Sequence, residues 1–303
     1  MKKTPPRTVH DFILWAARLF DNADLYFGHG TDNVQDEAAW LVGSALKISP
    51  SKLDACLKDE LSLEQQNTLH ALVDARITTR KPLAYLINEA WFAGLKFYVD
   101  ERVIVPRSLT AEFITEQFQP WVKPAQVHRI LDLCTGSGCM AIALAQAFPQ
   151  ARVDAADISL DALAVARINV ENYGLRERVR LLRSDLFSAL KSERYDLIVT
   201  NPPYAANDEM KMLPPEYRHE PALALASGER GLDTITTILA QVPKHLNANG
   251  VLVAEVGNSA ITLQQDFPTV PFMWLSTSAG DESVFLLTAE QLQHHHSALA
   301  RAP

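Results

Sequence analysis

The stretch Ile130-Leu131-Asp132-Leu133-Cys134-Thr135-Gly136-Ser137-Gly138 decides the fold. Its first half is apolar enough for a strand buried on both faces of a parallel sheet. Its second half is a glycine turn that opens an apolar helix at 138–148. Glycines in such a turn let backbone approach a ligand closely, and the unpaired N–H groups of a helix N-terminus favour an anion.

Working outward, strands are expected at 129–133, 152–156, 179–182, 195–199, 251–256, 272–275 and 283–287. Helices near 138–148, 160–173, 230–246 and 259–267 fall between them. That alternation predicts an α/β, Rossmann-like sheet of seven strands with helices on both faces. Upstream, Trp91 to Val99 and Val103 to Val105 read as two strands joined through Asp100-Glu101-Arg102. Pro106 closes this hairpin, and a helix at about 109–118 follows. Further upstream, Phe12, Trp15, Ala16, Leu19 and Phe20 repeat at helical spacing over 8–25, and a second helix is expected over 32–47. Ser62 with Gln65 forms a capping box for a third near 63–80. The chain therefore divides into a helical domain at 1–84, a hairpin linker at 85–106 and an α/β domain at 107–303. His29, alone in a glycine loop, reads as structural. The polar tail from Gln291 reads as frayed, and the adjacent His294, His295 and His296 splay apart rather than bind metal.

Formal charge is −8, from 28 basic and 36 acidic residues. That disfavours a sequence-independent nucleic-acid binder, which needs clustered Lys and Arg. Cys56, Cys134 and Cys139 have no metal or redox spacing, and so few thiols suit a reducing cytosol. Met1-Lys2-Lys3-Thr4-Pro5-Pro6 has no apolar core for a signal peptide, and no apolar run of about 18 residues occurs. A cytoplasmic protein without membrane contact is expected.

Asp157 ends the second strand 21 residues after Gly136, where a carboxylate accepts from ribose hydroxyls. Its bland alternative is a cap for the helix that starts after Ser159. Asp185 ends the third strand, within reach of an adenine amino group. These features imply an adenosine-containing cofactor without saying which. Gly136-Ser137-Gly138-Cys139-Met140-Ala141 also fits the dinucleotide pattern, so an NAD-dependent dehydrogenase competes on this half of the site.

The fourth strand separates these readings. Tyr195-Asp196-Leu197-Ile198-Val199-Thr200 runs into Asn201-Pro202-Pro203-Tyr204, whose two prolines stop the ladder and present Asn201 at the strand's carboxyl end. A carboxamide offers one acceptor and two donors, matching a flat N–H₂ group, and Tyr204 adds an aromatic face. No acid or base for hydride chemistry stands here. The bland reading is a capped turn.

Asp132 through Gly138, then Asp157, Ser184-Asp185-Leu186-Phe187 and Asn201-Pro202-Pro203-Tyr204 together resemble the protein-glutamine N5-methyltransferases. So do Tyr217-Arg218-His219-Glu220-Pro221, Leu225-Ala226-Ser227-Gly228 and Glu255-Val256-Gly257-Asn258. The resemblance spans essentially the whole chain. Pro106-Arg107 is followed by Ser108-Leu109-Thr110-Ala111-Glu112, which favours the branch acting on the third protein of the large ribosomal subunit over the release-factor branch. It implies S-adenosylmethionine as cofactor, held by Asp132, Cys134, Thr135, Gly136, Ser137, Gly138, Asp157, Asp185, Leu186 and Asn201. It implies Asn201 and Tyr204 as catalytic residues, with Asn201, Pro202, Pro203 and Tyr204 holding the substrate glutamine. It further implies that the N-terminal helices help recognise the protein partner, free or in an assembling particle. Cys134 stands where the wider family has glycine. An adenine amino-methyltransferase and a non-catalytic module that keeps the cofactor fold remain as competing readings.

Overall fold

The computed structural model describes residues 6–300; residues 1–5, on which the reading of no signal peptide rests, and 301–303 lie outside them. Among the described residues no helix is long and apolar enough to cross a membrane.

The chain begins with helices Val9–Asn22, Val34–Ala45, Pro50–Cys56, Leu63–Thr79 and Leu83–Ile87. Thr8 and Asp11 close a capping box on the first, whose Phe12, Ala16 and Phe20 are fully buried at helical spacing. The box expected at Ser62 and Gln65 is formed, each side chain bonding the other's backbone N–H. These helices bury one apolar core of their own around Leu41, Leu69 and Val73.

Strands β1 (Ala90–Phe92) and β2 (Leu95–Phe97) form an antiparallel hairpin. Its position corrects the expectation: the turn is at Ala93-Gly94, not at Asp100-Glu101-Arg102. Ala93 (φ 49°) and Gly94 (φ 74°) both take the positive φ of a tight hairpin turn. Residues 98–105 form no strand, because Asp100 accepts from the Arg102 N–H and guanidinium and bends the backbone there.

The remaining strands are β3 (Arg129–Leu133), β4 (Arg152–Asp157), β5 (Val179–Arg183), β6 (Tyr195–Thr200), β7 (Leu246–Glu255), β8 (Met273–Leu275) and β9 (Val284–Thr288). They pair in the order β5-β4-β3-β6-β7-β9-β8, parallel through β7, with β9 antiparallel to both its neighbours. The seven-stranded α/β sheet is thus present as read. Alternate residues feed opposite faces. Ile130, Leu197 and Val253 pack under helix Cys139–Ala147, while Leu131, Ile198 and Leu252 pack against helix Asp233–Gln241.

The tail is a second correction. Thr288 and Gln291 cap a helix Ala289–His294, and Leu292 and Leu299 are fully buried against the sheet. Two apolar side chains in an otherwise polar segment suffice to anchor it.

Chain order reverses between β3 and β6, so the loops leaving them diverge and open a crevice at their carboxyl ends. The Thr200 hydroxyl donates to the Leu133 carbonyl (2.7 Å) and fixes the two strand ends together.

Candidate active site

Two cavities open at this edge, of about 450 and about 420 Å³, and Asn201 lines both. The first lies over the carboxyl ends of β3 and β4. Leu133, Cys134 and Gly136 from the loop after β3 border it, with Asp157, Asp185 and Leu186 opposite. The second lies beyond β6, bordered by Pro202, Tyr204, Arg107, Tyr217 and Asn258.

The glycine turn is held by bonds that explain its sequence. Gly136 has φ 54°, and a Cβ there would meet nothing within 4 Å, so the residue is chosen for conformation and leaves the cavity open. Asp157 accepts from the Gly136 N–H and the Ser159 N–H (both 2.9 Å). It does not cap the next helix; the Ser159 hydroxyl does, accepting from the Ala162 N–H. The Asp157 carboxyl is raised by burial, an effect its backbone donors oppose. Cys134 takes φ 64°, the left-handed region, which accounts for glycine being usual at this place. Burial pushes its thiol up.

Not every residue expected in the cofactor site reaches the cavity. Asp132 is fully buried beneath the turn, where it accepts from the Thr135 hydroxyl; burial pushes its carboxyl up to about 7. Ser137 is buried too, its carbonyl taking an N–H from the Asn169 carboxamide. Gly138 faces Ala166, where a Cβ would stand 3.2 Å away, so it serves helix packing. Asp132, Thr135, Ser137 and Gly138 shape the turn from behind.

Beyond β6 the two prolines part. Pro202 borders the second cavity and Pro203 the first, because successive residues of an extended chain point to opposite sides. Pro203 therefore faces the cavity of Gly136 and Asp157, apart from Pro202 and Tyr204. Among the described residues the Asn201 carboxamide makes no hydrogen bond, so the capped-turn reading fails and its acceptor and donors stay free. Tyr204 is fixed from behind: its carbonyl accepts from the Ser259 hydroxyl (2.9 Å), and burial, then the Glu255 charge, push its phenol well above the ordinary range.

The sequence reading gave no role to three residues near the second cavity. Arg107 lines the second cavity and forks onto Glu220 (2.6 and 2.8 Å), beneath the Tyr217 ring. Glu255 accepts from the Ser108 hydroxyl and the Leu109 N–H (3.0 Å) behind Tyr204. Glu216, fully buried, accepts from the Tyr26 N–H (3.0 Å) and pairs with Arg80 (2.8 Å). The loop 214–221 thereby holds the N-terminal helices. His29 packs on Tyr217 (4.5 Å) and His219 bonds the Thr79 carbonyl and Glu101, so both histidines join parts of this chain.

A seven-stranded sheet of this order, with a cavity over the strand switch point, is the arrangement of an S-adenosylmethionine-dependent methyltransferase. Residues 111–214 match the family model described as Methyltransferase small domain, and residues 15–87 the PrmC N-terminal domain. Ribosomal protein uL3 glutamine methyltransferases of Neisseria meningitidis serogroup B and Bordetella pertussis are each 48% identical, over 94% of this chain and 94% and 96% of their own. The chain belongs to the ribosomal protein uL3 glutamine methyltransferase family. The dehydrogenase reading of the glycine spacing falls with that. Among solved structures, the hMettl16 catalytic domain in complex with a MAT2A 3′UTR hairpin aligns with 75% of this chain and 81% of its own at TM-score 0.48 and 16% identity, too distant to bear on the reaction.

Proposed function

We propose that this protein methylates the side-chain nitrogen of a glutamine in ribosomal protein uL3, with Asn201 as the residue that holds the amide. The carrying observation is that Asn201 alone joins the β6 end to both cavities with its carboxamide unspent. The near-full-length likeness to uL3 glutamine methyltransferases supports the choice of substrate.

The first cavity suits the cofactor. Gly136 offers unobstructed backbone, Asp157 suits ribose hydroxyls, and Asp185 and Leu186 suit the adenine. When bound, S-adenosylmethionine supplies an electrophilic methyl group. Every other task falls to the chain. An amide nitrogen is a weak nucleophile because its lone pair is delocalised into the carbonyl. Asn201 Oδ1 accepts one N–H of the substrate amide and the Pro202 carbonyl accepts the other. Both bonds strengthen as positive charge grows on that nitrogen, so they favour the transition state over the ground state. Tyr204 packs on the amide and excludes water. No strong base is needed, since a methylated, still protonated amide loses its proton to water.

The division into residues 1–84, 85–106 and 107–303 has a functional sense in this reading. The helical part reads the protein substrate, free or in an assembling particle in the cytoplasm, and loop 214–221 anchors it beside the second cavity. Nucleic acid is not read directly.

The test is incubation with labelled S-adenosylmethionine and a ribosomal extract, followed by mass spectrometry of the labelled band. One methyl group on a uL3 glutamine is expected. Label on nucleic acid, or on other proteins only, overturns the proposal.

A further inference from the structure

Glutamine and glutamate side chains have nearly the same size and shape, so a cavity that methylates one has to reject the other by charge. The cation that lines the second cavity is Arg107, and it is the sole Lys, Arg or His among the described residues that do so. A bare guanidinium there would be an excellent partner for a carboxylate, because its planar fork matches two oxygens at once. That fork is already taken. Glu220, with no exposed side-chain surface, receives Nη1 at 2.6 Å and Nη2 at 2.8 Å. Its first oxygen also accepts the Val105 N–H (2.9 Å), which fixes the carboxylate independently of Arg107. The Tyr217 ring, 5.3 Å from the guanidinium carbon, packs over the pair.

We propose that Glu220 determines substrate specificity: by occupying the Arg107 fork it leaves a cavity that takes a glutamine carboxamide and turns away a glutamate carboxylate. It acts through Arg107 and is a positioning residue rather than a catalytic one. The same pairing serves the reaction, since an uncompensated cation beside the amide would oppose the positive charge that grows on its nitrogen. The proposal rests on reading the second cavity as the glutamine site.

Unmethylated uL3 and a form with its methylated glutamine changed to glutamate are titrated calorimetrically into the enzyme with S-adenosylhomocysteine bound. The unaltered enzyme binds the glutamine form more tightly; equal affinity for the two forms overturns the proposal. Glu220→Gln shifts that ratio toward glutamate by about tenfold to a hundredfold, the range set by leaving one buried charged group without its partner. An unchanged ratio in a folded, cofactor-binding Glu220→Gln protein also overturns it. The pair Arg107→Met with Glu220→Gln removes both charges of the fork and restores the preference for glutamine; loss of discrimination there is a third refutation, and it stands even if Glu220→Gln alone does not fold. Failure of the underlying reading looks different: Asn201→Ala would then bind and methylate the glutamine form as the unaltered enzyme does.

Discussion

Gly257 lies so close to Tyr204 that a Cβ on it would stand 2.4 Å from the ring. Its φ of 47° adds a second reason for glycine. Gly257→Ala therefore has to displace the Tyr204 ring at the border of the second cavity, beside the place proposed for the substrate amide. Misplacement by about 1 Å near a reacting group costs roughly 10²-fold. Turnover is expected to fall by about that factor, while affinity for S-adenosylmethionine, measured by calorimetry, stays near the unaltered value. Retained turnover would show that Tyr204 does not set the substrate's place.

Asn201 and Asp157 separate the two cavities functionally. Asn201→Ala removes an acceptor whose bond strengthens in the transition state, and by analogy with the loss of one oxyanion donor it should cost about 10²–10³-fold in turnover. Cofactor affinity should change little. Asp157→Ala should do the reverse, weakening cofactor binding by roughly 1.5–3 kcal/mol for each charge-assisted bond lost. Circular dichroism checks that the fold survives the loss of the bonds to Gly136 and Ser159. Equal effects of both variants on both quantities would mean that the cavities are not separately assigned.

The sheet was legible because each strand is an apolar run bounded by turn residues, and Asn201 because two prolines stop a buried strand at a ligand-binding edge. The hairpin was displaced because the polar triplet Asp100-Glu101-Arg102 looks more like a turn than Ala93-Gly94, which sits inside an aromatic run. Composition cannot reveal that Asp100 spends its carboxylate on Arg102. The burial of Asp132 was hidden for a similar reason, since a motif shows which residues flank a turn and not which of them point away from the cavity. Arg107 and Glu220 stood in two separate motifs of the sequence, and nothing local said that they pair. They are 113 residues apart and meet only because the loop after β6 folds back over the hairpin's exit.

Asp132 gives the pH dependence its sign. Burial raises its carboxyl from the ordinary 3.8 to about 7, against the pull of its bond from the Thr135 hydroxyl. Between those values the folded protein keeps a proton that the unfolded chain has released. The contribution of Asp132 to stability is therefore fully present at the acid end of this window and declines as pH rises through it. Asp132→Asn has no proton to lose. The melting temperature of the variant relative to the unaltered protein should rise steadily from about pH 3.8 to about pH 7; parallel curves would mean that Asp132 is ionised throughout.

Glu216 is the anchor between the N-terminal helices and the loop beside the second cavity. Its side chain is wholly buried, bonds the Tyr26 N–H, and faces Arg80 at 2.8 Å and Arg76 at 3.6 Å. Removing one partner of such a cluster strands the others in a place without water, at a cost of about 3–5 kcal/mol. Arg76 retains Glu37 (2.6 Å), which keeps the effect of Glu216→Ala toward the lower end. Thermal unfolding followed by circular dichroism should show a lower midpoint. Glu216→Gln, which keeps an acceptor for Tyr26, should lose less. Cofactor affinity at the native temperature should be unchanged, because Glu216 borders neither cavity. A Glu216→Ala midpoint equal to that of the unaltered protein would mean that the helical part is held chiefly by its apolar contacts.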